Sequence, residues 1–335
     1  MLIILSLFLG SAGAIYVACE YFVNAIEWLG RKLKLGSTAT GTVLAAFGTA
    51  LPESAVTFVA VTFGKTASAR DIGVGAAMGG PLVLATIAYA VVGMALWYNR
   101  QRLQRADCII RVDRLRLARD QSWFLAIFAV KVGLGLLAFA FKPLLGVLFL
   151  MAYALYVWHE LRRDDSAPED EVLEPLKFRP AQVDPAWGWV TAQTVLSLLV
   201  IAAASRVFVG QLEAIGVALA LPPHLVALVL SPVATELPET VNALIWVRQG
   251  KERLALANIS GAMMIQATIP SALAIFATPW LFDAPLIAAG AVTAGAIVYL
   301  WWLFRRGRVD ARWLLPVASL YGVFAAVAVW LYSAM

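Results

Sequence analysis

Glu53 and Glu239 stand inside long apolar runs, each directly after Leu-Pro and each four residues after a threonine: Gly48-Thr49-Ala50-Leu51-Pro52-Glu53 and Ala234-Thr235-Glu236-Leu237-Pro238-Glu239. A carboxylate at the centre of a membrane helix costs about 2.5–3.5 kcal/mol on insertion scales, so such a group faces a cavity, a partner or an ion. Thr49 with Glu53, and Thr235 with Glu239, are i,i+4 pairs, which places hydroxyl and carboxylate on one helix face. Proline lacks an N–H and clashes with the carbonyl four residues earlier, so Pro52 releases the Gly48 carbonyl and Pro238 that of Ala234. Two such segments combine carboxylate, hydroxyl and freed carbonyl oxygens, and calcium takes about six to eight hard oxygen ligands in flexible geometry. The chemistry indicated is cation binding. The rival reading, in which proline kinks a span and the glutamate pairs with a neighbour for packing, has to hold twice over.

The elements that must position these residues are membrane helices. With 61% hydrophobic and 14% charged residues and a mean hydropathy of +0.80, the chain has too little polar surface to cover a soluble globule of its size. At roughly 20 apolar residues per crossing, the sequence predicts ten spans, near 2–26, 37–63, 72–98, 122–141, 143–161, 187–209, 222–247, 254–278, 284–304 and 313–334. The first of them resembles a signal peptide at Ser11-Ala12-Gly13-Ala14 but has no basic flank before it, so it reads as a retained span.

With the N-terminus outside, the connections near 27–36, 99–121, 162–186, 248–253 and 305–312 collect twenty-one Lys and Arg on the inside, against three outside (Lys65, Arg70, Lys142). That bias supports an integral, multi-pass protein of the plasma (inner) membrane with both termini outside. The net charge of +5 then reflects contact with an anionic leaflet and calls for no nucleic-acid partner. Cys19 and Cys108 form no CxxC pattern, and His159 and His224 are isolated near span ends, so redox and zinc chemistry are unsupported.

A polar acidic stretch, Asp164-Asp165-Ser166-Ala167-Pro168-Glu169-Asp170-Glu171, marks a solvated cytoplasmic linker over 163–186 between a first unit, 1–162, and a second, 187–335. The segment from Arg100 to Gln121 mixes arginines with Ile109, Ile110, Val112, Leu115 and Leu117, the pattern either of a helix lying on the membrane surface or of a plain topogenic loop. Each unit has five spans, an odd number, so the second must run upside down relative to the first. The expected fold is all-α, with ten transmembrane helices as two inverted five-helix repeats. The Pro-Glu segments fall on the second span of each, where transporters place broken helices around a midplane site.

These residues resemble the calcium/cation antiporter superfamily, the sodium/calcium exchangers and their relatives, whose two repeats carry Gly-Thr-Ser-Leu-Pro-Glu-like motifs on the second and seventh of ten helices. The regions similar to it run near 46–84 and 230–268. The resemblance implies that Glu53 and Glu239 bind calcium, with Thr49 and Thr235 as further ligands and the Gly48 and Ala234 carbonyls contributing. It also implies alternating access, in which the first and sixth helices slide over the rest. The family's second motif survives in part as Ala257-Asn258-Ile259-Ser260-Gly261-Ala262. Its sodium-holding serine and Asn/Asp positions read Gly80 and Leu84 in one repeat and Ala262 and Gln266 in the other. Glu236 replaces the first motif's serine. It either adds a third carboxylate, favouring proton coupling, or pairs with Asn242 or Gln266. Asn258 either binds the ion or hydrogen-bonds the broken helix.

The expected function is secondary antiport of Ca2+ against Na+ or H+, with these inorganic cations as bound cargo in a lipid bilayer and no resident cofactor. Exchange of another cation is the alternative within transport. A metal-dependent intramembrane enzyme is the alternative outside it, although no His or Cys stands beside the carboxylates to serve as acid, base or nucleophile.

Overall fold

A computed structural model describes residues 1–33, 50–161 and 173–333. Gly48, Thr49 and the acidic run 164–171 lie outside the described residues. Among those described, the regular elements are helical: α1 (Leu2–Lys32), α2 (Leu51–Phe63), α3 (Ala67–Val83), α4 (Tyr89–Asn99), α5 (Arg114–Gly135), α6 (Gly146–Leu161), α7 (Trp187–Leu219), α8 (Pro223–Thr235), α9 (Leu237–Arg248), α10 (Glu252–Ala277), α11 (Ala284–Arg305) and α12 (Val317–Ser333). One π-helical turn, Leu84–Ala88, joins α3 to α4 without a break.

Among the described residues, seven stretches are long and apolar enough to cross a membrane: Leu2–Lys32, Ala67–Asn99, Lys142–His159, Trp187–Leu219, Glu252–Ala277, Ala284–Arg305 and Ala311–Tyr332. The other three predicted spans are the two with Pro-Glu segments and 122–141, whose helix α5 starts earlier, among the arginines. Large apolar side chains such as Leu148, Leu155, Leu199 and Trp330 remain exposed. An apolar outer face of that kind suits lipid rather than water.

Local chemistry sets the helix ends. The Asp113 carboxylate accepts from the Leu115 and Arg116 N–H groups at 3.1 Å and starts α5. Thr66 accepts from the Ala69 N–H at 3.0 Å and starts α3. Asp283 accepts from the Leu286 N–H at 3.3 Å and starts α11. Each such cap is worth about 1 kcal/mol. Pro52 and Pro238 sit in the first turns of α2 and α9, where a missing N–H costs nothing. The predicted span 222–247 is thus two helices, with Glu236 between them at φ −98°, ψ −7°.

Among the described residues, packing forms two large apolar clusters and one small one. Of the large ones, one unites α1 and α7 with α2, α3 and α8 through Phe8, Ile15, Val56 and Leu212. There the Phe8 and Phe208 rings stack at 4.9 Å. The other, larger cluster gathers α3, α4, α5, α10, α11 and α12. α3 meets α8 backbone to backbone: a Cβ on Gly75 would lie 2.1 Å from the His224 carbonyl oxygen, and one on Gly79 would lie 2.5 Å from that of Leu228. Small residues spaced by four allow this approach.

Two connections take definite form. Of the two readings of Arg100–Gln121, the loop holds over 100–113, and 114–121 form the start of α5. Cys108 and Ile110 are buried, the Ile110 N–H donates to the Val309 carbonyl at 2.9 Å and the Ala311 N–H to that of Cys108 at 2.8 Å. Arg105 grips the buried Glu252 at the start of α10 through two bonds of 2.7 and 3.0 Å. The described part of the linker docks over 173–178, while 179–184 stay exposed. Leu176 is buried with Trp28 and Val190, and the Trp28 indole donates to the Glu174 carbonyl at 2.9 Å. Its apolar residues have a groove between α1 and α7 to fill.

Candidate cation site

The C-terminal end of α8 and the N-terminal ends of α2 and α9 bring the polar residues together. Glu53 is the third residue of α2 and Glu239 the third of α9. First-turn carboxylates are favoured by the positive pole of a helix, while the last carbonyls of α8 present the negative pole. Broken helices therefore set acidic side chains and carbonyl oxygens side by side at a point that regular helices would seal.

Glu53, Thr235, Glu236 and Glu239 are all buried. The Thr235 hydroxyl lies 2.7 Å from Oε2 of Glu53, 2.9 Å from Oε1 of Glu236 and 3.2 Å from the Ser231 carbonyl oxygen. The Gln266 amide donates to Oε2 of Glu236 at 2.6 Å. A hydroxyl carries one hydrogen. Thr235 can donate to only one of these acceptors, so both carboxyl contacts are hydrogen bonds only when a carboxyl group carries a proton and donates back. Glu53 comes from the first half of the chain and its partners from the second, so the cluster joins the halves.

Several buried oxygens have no hydrogen-bond partner among the described residues: Oε1 of Glu53, both carboxyl oxygens of Glu239, Oε1 of Gln266 and the Ser231 hydroxyl. Buried polar atoms are nearly always paired, and this concentration of unpaired acceptors suits a positively charged guest. Gly80 of α3 closes one side. A Cβ there would stand 2.8 Å from Oε1 of Gln266 and 3.1 Å from Oε1 of Glu236.

The predicted residues are thus distributed unevenly. Glu53, Thr235, Glu236 and Gln266 form one bonded cluster. Glu239 shares no hydrogen bond with them but interacts electrostatically with Glu236 and Glu53. Among the described residues no three His, Cys, Asp or Glu side chains are arranged to hold an ion by themselves. Of the two readings of Glu236, pairing with Gln266 and membership of the acidic cluster hold together. Ala234 is partly exposed, and Pro238 leaves its carbonyl without a helical donor. Asn258 lies eight residues before Gln266 on α10, about 12 Å along the axis, and its partly exposed side chain has an amide nitrogen without a partner among the described residues. Gly48 and Thr49 fall outside the described residues.

Ser231 was missed. It extends the Thr235, Glu239 spacing by one more turn, a ladder visible in the sequence. The sequence marks Gly80 as a motif position, but its role as a wall beside Gln266 and Glu236 appears only when the helices are packed. Beyond the cluster, Ser260, Tyr89 and Gln121 form a second buried polar knot, with the Gln121 amide 2.8 Å from the Tyr89 hydroxyl and the latter 2.9 Å from Ser260.

Comparison with known proteins places these features in a family. The model of the sodium/calcium exchanger protein family matches residues 3–162 and again 189–330. The putative antiporter CaxA of Alkalimonas amylolytica is 24% identical over 80% of this chain and 78% of its own. Cation/calcium exchanger 2 of Arabidopsis thaliana is 27% identical over a shorter stretch, 28% of this chain and 17% of its own. Among solved structures, the H+/Ca2+ exchanger CAX superposes with a TM-score of 0.68 at 15% identity, covering 99% of this chain and 90% of that one. The sodium-calcium exchanger NCX_Mj superposes with a TM-score of 0.60 at 18% identity, covering 97% and 99%.

Proposed function

The chain belongs to the sodium/calcium exchanger family, a family of multi-pass membrane proteins that exchange cations and are not enzymes, and from that premise we propose that it is a secondary antiporter moving Ca2+ against H+. Sodium is the runner-up as coupling ion. Ten membrane helices in two inverted repeats of five would carry the site, with α8 and α9 as one broken span. The repeat is supported by matched contacts: α1 lies along α7, α2 packs on α3 as α9 does on α10, and α6 flanks α10 as α12 flanks the π turn between α3 and α4. The twofold match of the family model has the same periodicity.

The observation that carries the function is the single Thr235 hydroxyl held between carboxyl groups from opposite halves. Such a cluster has two ways to balance its charge: protons on the carboxyl groups, or one divalent cation drawing in Glu53, Glu236 and Glu239 with the Thr235 hydroxyl, the Gln266 amide oxygen and the Ala234 carbonyl. Calcium tolerates such a mixed oxygen set. The two occupants exclude one another, and that exclusion is the coupling. Protons are favoured over sodium because Gly80, Leu84 and Ala262 offer no side-chain oxygen where the wider family holds sodium. The ions are cargo, and no resident cofactor is required. In the proposed placement the protein lies in the plasma (inner) membrane with both termini outside.

The test is calcium uptake into proteoliposomes under separately imposed pH and sodium gradients. An outward proton gradient should drive uptake, and E53Q and E239Q should reduce it to background. Robust uptake by both variants would defeat the assignment, and uptake driven by sodium alone would replace the coupling ion.

A further inference from the structure

Lys131 on α5 is completely buried, at 0% exposure, and nothing in the exchange scheme above uses it. Its Nζ donates to the Ala77 carbonyl oxygen at 2.7 Å. Ala77 lies ten residues into α3, about 15 Å along a crossing of roughly 30 Å, which is mid-depth. That carbonyl is a particular one. Ala77 stands four residues before Pro81, which has no N–H to give it, so it is released from the helix just as the Ala234 carbonyl is released by Pro238.

The equivalent carbonyl on α10, that of Gln266 before Pro270, is met by the Ser271 hydroxyl at 3.3 Å. The Ala77 carbonyl instead receives an ammonium group. The faces of Phe128 and Trp280 stand 5.5 and 5.9 Å from the same nitrogen, a setting that favours a cation. Among the described residues no carboxylate lies within 4.0 Å of it, and Glu53 is the acidic group whose charge acts on it. Ala77 is one helical turn from Gly80, which abuts Glu236 and Gln266.

We propose that Lys131 is a tethered cation of the transport site. Its ammonium occupies a proline-released carbonyl, as a soluble monovalent ion would, and supplies fixed positive charge to the carboxylates around Glu53. It thereby sets calcium affinity and makes a bound sodium or potassium ion unnecessary. Lys131 is a specificity-determining residue rather than a ligand of calcium, and the assignment rests on reading the carboxylate cluster as the exchange site.

The experiment compares wild type, K131M, K131Q and K131R in proteoliposomes, measuring the KM for calcium under a fixed pH gradient with and without Na+ or K+ on both sides. Wild type and K131R should transport without added monovalent cation. K131M and K131Q should show a KM for calcium lowered roughly tenfold, as the loss of a unit charge in a low-dielectric site implies, and their transport should become dependent on Na+ or K+. A purely structural lysine would alter the amount of folded protein or the maximal rate and leave both readouts unmoved, which would overturn the proposal. Loss of folding in both neutral variants, not rescued by calcium, would assign the lysine to packing and overturn it equally. Absence of gradient-driven uptake in wild type would instead fault the function on which the proposal rests.

Discussion

Thr235 is the residue on which the site turns, because its one hydroxyl bridges carboxyl groups contributed by different halves of the chain, donating to one and accepting from the other. T235V keeps the volume of the side chain and removes that hydroxyl. It should raise the KM for calcium roughly 10- to 100-fold, the equivalent of about 1.5–3 kcal/mol for a hydrogen bond to a charged group, with the maximal rate less affected. G80A should abolish uptake without unfolding the protein, since its Cβ would enter the space beside Gln266 and Glu236. Uptake by G80A at the wild-type rate would show that this space is not part of the ion path. Glu53, Glu236, Thr235 and Gln266 could all be singled out by eye in the sequence, because polar groups in apolar runs need a reason. Which of them share a proton could not, because that depends on distances across helices.

At the scale of elements, the helix ends carry the most testable chemistry. Asp283 caps α11 and holds His224 at 2.6 Å across to the start of α8. Burial pushes the Asp283 carboxyl up, but its bond and charge interaction with His224 and the Leu286 N–H outweigh burial and hold it below the usual range near 3.8. A carboxyl with a depressed folded-state value stabilises the fold above its unfolded value and loses that contribution as pH falls through the lower one. D283A should therefore lower thermal stability in detergent by about 1 kcal/mol at pH 5, the part owed to the carboxylate charge shrinking below about pH 4. At the start of α10, E252A leaves the partly exposed Arg105 without its partner and should cost about 1–3 kcal/mol. G79A, whose Cβ meets the Leu228 carbonyl, should cost about 1–3 kcal/mol by prising α3 from α8. Tryptophan fluorescence melts check all three. The π turn at Leu84–Ala88 had no signature in the sequence, since an i→i+5 ladder is settled by what surrounds the helix and not by its residues.

For the whole molecule, alternating access requires one body to move against another, and the packing offers a boundary. α1 and α7 lie together, joined by Phe8 and Phe208, and meet the remainder at contacts such as the Thr66 hydroxyl to Oε1 of Glu213 at 2.9 Å. A disulfide or short bismaleimide bridge in the Phe8→Cys, Phe208→Cys pair should leave exchange intact. The same bridge in a Thr66→Cys, Glu213→Cys pair should stop it until reduced or omitted. Arrest by both bridges, or by neither, would show that the moving boundary lies elsewhere.

Composition and period alone determined that the chain is helical and lives in a bilayer, and the repeated Leu-Pro-Glu hexapeptide alone marked where costly oxygens are concentrated. Those are local properties: hydropathy over a window, a missing N–H, a charge that lipid will not accept. Only the tertiary structure decided that Glu53 reaches Thr235 rather than its own helix, that Glu236 answers both Gln266 and the acidic cluster, that residues 173–178 dock between α1 and α7, and that the buried Lys131 closes a carbonyl released by Pro81. Each of these is a choice among partners far apart in the chain, and such choices are fixed by helix packing, on which single-helix periodicity is silent.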